Sequence, residues 1–537
     1  MTMKTRKTSI FKSMGVSIIL GIAVFLFWGW AYPHALSYQE QYQLFLWTGD
    51  YLLDALRIPG GFAAWLGEMV VQFYVFPWLG AFLLSLLFVA LQRVVVAAMS
   101  EKHGSAWQLL GLLPPIMVLT LMGDESVLLS YLVALISSIA LFAAFRRKPL
   151  WADVIVVPLA YWLLGPLAWL YVVLRMVENG WRWLVMALLL LVVQWLAYRY
   201  FLPQWPLYGV VTGQVYYRIP MMTPVLMWLT PLVVVAIILL SRISHARWMV
   251  AVELGIVVAA AFLAVGEGYE KEKYELIRQD YLVRNERWDD IIDRARDYQV
   301  HTDFSSVCVN LALSQKRQLA EKMFDFYQSG TGALIMPRVR DLTSMLPSAE
   351  VFWKLGMVNS AQRYMFDTQE SILNGKKSGR CTKRIVECMM VNGHYKAAKK
   401  HIDLLKKSLF YRQWAKEAET FLGNDGKVDA HPEWGKLRQY RYKDNFLYEY
   451  SEMDKMLGLL FVNNPKNKMA LDYMLGQMLL NGDVPAFQQY LEWARQYGGY
   501  VDMPRVYRDV VQCIQSNGQV QGSPYMNYIN TMKGQQP

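Results

Sequence analysis

The stretch "DVIVVPLAYWLLGPLAWLYVVLR", residues 153 to 175, decides how this chain is built. Read as one apolar helix broken at Gly165-Pro166, it crosses a membrane once. Read as two short helices that turn there, it enters and leaves on the same side. Proline removes a helix hydrogen bond, and such breaks persist in a bilayer only where protein or water satisfies the freed backbone. Flanking apolar runs supply the arbitration. About 20 apolar residues are needed to cross the hydrocarbon core. "SMGVSIILGIAVFLFWGWAY" (13–32) meets that length behind Lys4, Arg6, Lys7 and Lys12. It is long, aromatic-rich and without an A-x-A site, so it reads as a retained anchor and not a cleaved signal. Further spans are expected near 70–92, 106–122, 126–145, 182–198, 222–241 and 248–266.

Lys and Arg favour cytoplasmic loops. With a hairpin at 153–175, 13 basic residues of this half fall on the cytoplasmic side and only Arg57, Arg199 and Arg218 fall outside. With a single span the division is 11 against 5. The hairpin is favoured. The expected fold is all-α: a polytopic transmembrane domain of about nine hydrophobic helices, one pair short, with a cytoplasmic N-terminus and the C-terminal half outside.

At 537 residues the chain is too long for one packed core. Its 55% apolar and 18% charged composition averages two textures. Up to Gly266 there are 16 Lys and Arg against 10 Asp and Glu; beyond it, 38 against 33. A transmembrane domain over 1–266 and a soluble domain over 267–537 are expected. The basic excess is spread evenly over both, which argues against a nucleic-acid partner. Fifteen of the twenty tryptophans precede residue 266, many at span ends, where amphipathic rings anchor to the interface.

In the second half "NLALSQKRQLAEKMFDF", "FWKLGMVNSAQRYMFD", "MMVNGHYKAAKKHIDLL" and "YMLGQMLLNGDVPAFQQYLEWA" share a form. Each is an apolar helix end, a small polar turn and a second amphipathic helix. Ala361 and Ala397 lie 36 residues apart, near the tetratricopeptide period of about 34. The phrases resemble that repeat in degenerate form, which implies TPR-like helical hairpins. Such arrays present a concave face to peptides or partner proteins; the alternative is a scaffold that only covers the membrane domain. Cys308, Cys381, Cys388 and Cys513 have neither CxxC nor zinc-ligand spacing and read as small core residues.

Under this topology Glu40, Asp50, Asp54, Glu68, Asp124 and Glu125 all lie at the outer face. That arrangement resembles the GT-C class of membrane glycosyltransferases, which use lipid-phosphate-linked sugars and carry acids in the outer loops. The resemblance implies a polyprenyl-phosphate sugar as substrate, Glu40 as general base and Asp50 as a helper. It also implies Asp124 and Glu125 as ligands for a divalent metal, and Arg199 and Arg218 as phosphate partners. The loops offer "GDYLLD" and "GDES" but no strict DxD. The alternative is solvated loop charge with helix capping, in which Asp50 and Asp54 share one face of an interfacial helix from Tyr42 to Leu56.

The phrases "YQEQYQLFLWTGDYLLDALRIPGGFAAWLGEMVVQFYVFPWLGA" and "NLALSQKRQLAEKMFDFYQ" resemble, in order, a Bacteroidota family of inner-membrane proteins without an assigned activity. That implies a multi-pass protein of the bacterial inner membrane with a periplasmic C-terminal domain. Glu253 is an acid inside the last span and is read as snorkelling or paired near Arg247. There is no Walker loop, dinucleotide fingerprint, GxSxG or HExxH. Two readings stand: a lipid-sugar transferase, or a non-catalytic anchor that presents helical repeats to envelope proteins.

Overall fold

The computed structural model describes residues 3–101, 103–218, 224–339, 341–372, 375–442, 450–500, 502–516 and 522–534. Among them every regular element is helical; the only β feature is an isolated antiparallel bridge between Val127 and Arg218. The chain forms two compact units, residues 1–271 and 272–537.

In the first unit five helical stretches are long and apolar enough to cross a membrane: Met14–Ala31, Pro77–Ala98, Leu150–Asn179, Trp181–Tyr200 and Met249–Gly268. This corrects the expected nine. Gln108–Leu121, Ser130–Phe145 and Val225–Leu240 are apolar but shorter. The first is shortened where Pro114 and Pro115 open the helix Leu113–Leu121, since proline suits a first turn and cannot continue a preceding helix.

The stretch Leu150–Asn179 folds back on itself. Gly165 takes φ +75°, a value that Gly alone reaches without strain. Arg175 donates from Nε and Nη2 to Asp153 at 3.0 and 2.8 Å, across 22 residues. A straight helix would hold the two about 33 Å apart. Residues 150–164 and 168–179 are thus the arms of a hairpin, with Gly165-Pro166 at its tip.

The hairpin sorts the loops of this unit onto two ends. Arg175 also donates to the carbonyls of Arg146 and Lys148, and Arg146 and Arg242 both pair with Glu178. The Ser100 amide donates to Ser241 Oγ and Trp107 Nε1 to the Ile243 carbonyl. That basic end gathers residues 99–101, 103–107, 146–148, 175–183 and 241–245. At the other end Trp162 Nε1 donates to the Leu56 carbonyl, and the Gly60 amide donates to the Trp162 carbonyl. The Leu128 amide donates to the Tyr217 carbonyl, and Tyr269 Oη to that of Leu119. Asp124 and its partner Arg218 also lie at this second end, beside the Leu128–Tyr217 bond.

The second unit is a set of helical hairpins joined by one kind of turn. Glu286, Arg317, Gly356, Gly393 and Gly482 each take φ between +53° and +85° just past a helix end. In each, the next amide reaches back five residues: Arg287 to Leu282, Gln318 to Leu313, Met357 to Phe352, His394 to Met389 and Asp483 to Met478, at 2.7–3.0 Å. The left-handed residue itself donates to the carbonyl three residues before it. These are five Schellman caps, which satisfy the last carbonyls of one helix and reverse the chain into the next. The four recurring sequence phrases all contain one. Their turns lie 39, 37 and 89 residues apart, so a regular tetratricopeptide period is not shown. All four cysteines are free and buried.

Candidate functional site

The first acids follow a helix that proline starts: Pro33 opens Pro33–Glu40. Residues 43–47 then run without regular structure. His34, Ser37, Gln39, Glu40, Gln41 and Gln43 are all buried. This polar run is therefore inside the protein, as irregular backbone near membrane depth must be. Phe45 packs edge-on against Trp47 and Tyr51 and tilted against Trp65; Trp47 Nε1 donates to Gln72 Oε1 at 3.0 Å.

Gln39, Tyr42 and Gln43 meet Glu68 of the helix Gly61–Val71 and Glu125 of the turn between Leu113–Leu121 and Ser130–Phe145 around one cavity of about 30 Å³. That is room for about two waters. Residues 127–130 form the opposite wall. Gly67 allows the close approach: a Cβ there would lie 2.7 Å from the Ser130 amide nitrogen. Tyr51 donates a short hydrogen bond to Glu68. Burial pushes the Tyr42 hydroxyl well above its usual range, and Tyr38, Glu125 and Asp124 add to the effect. Tyr42 is thus a neutral hydroxyl beside two carboxylates.

Asp124 and Arg218 pair at 2.8 Å, and Asp124 Oδ1 also accepts from the Ser126 amide at 3.0 Å. The Val127–Arg218 bridge and the Ser130 Oγ bond to the Tyr216 carbonyl, 2.7 Å, hold this corner. Behind it lies an apolar crevice of about 350 Å³. Tyr131, Trp169, Tyr217, Trp228 and Leu232 are among its lining, with the Thr212 hydroxyl buried there without a hydrogen bond. Tyr217 ties the crevice to the hairpin tip: its hydroxyl donates a short bond to the Leu164 carbonyl and accepts from the Leu167 amide at 3.0 Å.

The sequence-predicted residues divide. Asp124, Glu125 and Arg218 share this corner, and Glu40 is buried one residue past the lining residue Gln39. Asp50 is exposed in the first turn of Gly49–Leu56, where Thr48 caps the helix and the dipole favours an acid. That helix is shorter than the expected Tyr42–Leu56. Asp54 is exposed and pairs with Arg57 at 2.7 Å. Arg199 is exposed in the last turn of Leu184–Tyr200, where a cation suits the helix C-terminus. No three His, Cys, Asp or Glu side chains gather as a metal site among the described residues. Asp124 is engaged by Arg218, so no metal step is derived from the Asp124–Glu125 pair.

Sequence reasoning did not single out Glu68, Tyr42 or Gln43 as site residues. Their signal was present: an acid inside the apolar "GFAAWLGEMVV", and a glutamine-rich run directly after a span.

The profile of a family described as "Family of unknown function (DUF6057)" matches residues 8–533. No curated protein and no solved structure matches the chain.

Proposed function

The chain belongs to this family of unknown function, and from that premise we propose that it is an inner-membrane protein that acts as a GT-C-like glycosyltransferase on a polyprenyl-phosphate-linked sugar. The observation that carries the reading is one of adjacency. An apolar crevice wide enough for a lipid chain and a carboxylate-lined cavity share the corner built by residues 127–131 and 216–218. The lipid chain would lie between Trp169 and Trp228. Arg218, next to the crevice residue Tyr217, would neutralise the phosphate by exchanging Asp124 for it. Glu125 or Glu68 would take the proton of an acceptor hydroxyl as its oxygen bonds the sugar carbon and the phosphate leaves. Glu40 lies outside the lining, so it is assigned support of the Gln39–Gln43 segment. A cavity for two waters excludes a sugar ring, so transfer requires that segment to move.

On this reading the end where Lys and Arg gather faces the cytoplasm and the other end the periplasm, which the preference of basic residues for cytoplasmic loops supports. The second reading is an anchor that presents helical hairpins to envelope partners; the hairpin array of residues 272–537 favours it.

The test uses the full-length protein in nanodiscs, with tryptophan fluorescence to report polyprenyl phosphate binding. Arg218→Gln should weaken binding about tenfold while leaving polyprenol binding unchanged. Glu125→Gln should retain binding and lower transfer about 100- to 10,000-fold. Asp54→Asn should change neither. Equal, mild effects of all three, with cell-surface glycans unchanged by deletion, would remove the transferase reading and leave the anchor.

A further inference from the structure

In the second unit, the turn at Arg317, the end of Met345–Leu355, the helix Pro432–Tyr440 and the segment 466–472 enclose a cleft of about 660 Å³. Five bases line it: Arg317, Lys354, Lys436, Lys466 and Lys468. Among the described residues two acids do, Glu321 and Asp472. Lys354 is engaged by Glu286 and Glu433 at 2.5 and 2.9 Å, and Lys468 donates to the Gly498 carbonyl at 2.5 Å. Glu321 accepts from the Arg505 amide at 3.0 Å. Arg317, Lys436 and Lys466 are exposed, and no carboxylate pairs with them among the described residues.

Three like charges around one cleft raise its potential and draw anions into it. The volume suits a small molecule of sugar-phosphate size. A single carboxylate would leave most of the charge uncompensated; a phosphate carries about −1.5 to −2 near neutral pH. We propose that this cleft binds a small phosphate-bearing anion through Arg317, Lys436 and Lys466. The proposal is independent of the reading given for the membrane unit.

Asp472, buried in the cleft lining, supports it. Burial pushes its carboxyl up to about 7, opposed by the Tyr507 hydroxyl and Lys468 and reinforced by Glu321; the Tyr500 hydroxyl also donates to it. Below that value the acid is mostly protonated and does not repel an arriving anion; above it the carboxylate forms and does.

The probe is inorganic pyrophosphate, titrated calorimetrically into the full chain in detergent at about pH 6, below the Asp472 transition. Saturable binding is expected. It should weaken about tenfold or more in Lys436→Ala/Lys466→Ala, by the loss of two charge-assisted contacts. It should be unchanged in Lys399→Ala, whose lysine lies elsewhere with Asp403 and Glu419. Arg317→Gly keeps the left-handed backbone of the turn and should also weaken binding, so the proposal stays testable if the double variant misfolds. Sulfate keeps a fixed charge across this range; its affinity should fall as pH rises through about 7, and Asp472→Asn should flatten that dependence. Absence of saturable binding, or equal losses in Lys399→Ala, would overturn the assignment. So would an acidic hexapeptide that binds more tightly than pyrophosphate through the same lysines, which would give the cleft to a protein partner.

Discussion

Arg175 and Asp153 are both fully buried, and the guanidinium satisfies the carboxylate and two carbonyls at once. Tyr171 and Trp183 also donate to Asp153, and Arg175 stacks over the Trp183 ring at 5.2 Å. Removing one member of a buried pair strands the other charge. Arg175→Met should destabilise the protein by about 3–5 kcal/mol, and Asp153→Asn/Arg175→Met should recover part of that loss. Unfolding in detergent, followed by thermal melts of the four proteins of the cycle, measures it. From the sequence these two residues read only as the ends of an apolar run, because a pair 22 residues apart becomes visible only once the chain turns. Asp472 gives a pH test. Its folded pKa is raised, so its contribution to stability is full below the unfolded carboxylate range of about 4 and is lost as pH rises to about 7. Asp472→Asn should therefore gain on wild type as pH rises from about 4 to about 7 and hold that gain above it. Parallel melting curves across that range would refute the buried-acid account.

The Schellman turns set the geometry of the second unit. Gly393 sits at φ +75° with open space around it; a Cβ would come no nearer than 4.0 Å, to Arg438. Gly393→Ala should cost only the left-handed backbone penalty, about 1–2 kcal/mol. At Gly356 a Cβ would also meet Tyr440 Cβ at 2.7 Å, so Gly356→Ala should cost more. Arg317 holds the same conformation with a side chain, at φ +57°. Arg317→Gly should stabilise by up to about 1 kcal/mol, the penalty relieved less the added chain entropy. Thermal melts of the three variants rank them; a reversed order of the two alanine variants would mean the neighbour at Gly356 yields freely. Three of the turns were legible as "LGM", "NGH" and "NGD". The turn at Arg317 was legible only as the polar "SQKR" of its phrase, and that at Glu286 was not, because no glycine marks either and the helices on either side impose the conformation.

At the scale of the whole molecule, the hairpin at 150–179 fixes which loops share an end. The last span, Met249–Gly268, begins beside the basic end near Arg247 and finishes at the other end, where Gly123 packs against the Gly268 carbonyl. A reporter fused after residue 270 should therefore signal the periplasm, by phosphatase activity without fluorescence of a cytoplasm-only protein. A cytoplasmic signal would reverse the assignment of ends and of the site. The sequence by itself determined the helical class, the apolar character of the membrane unit, and the hairpin phrases that follow it. These are local properties: run length, period and turn residues act within about 20 positions. Only the tertiary structure decided that, among the described residues, five apolar stretches reach crossing length, one of them folded back as the 150–179 hairpin, and that Glu40 is buried while Asp50 and Arg199 face outward. It alone set Glu125 beside Glu68, and Asp124 beside Arg218. Those placements depend on which helices pack together, and packing joins residues that no local pattern links.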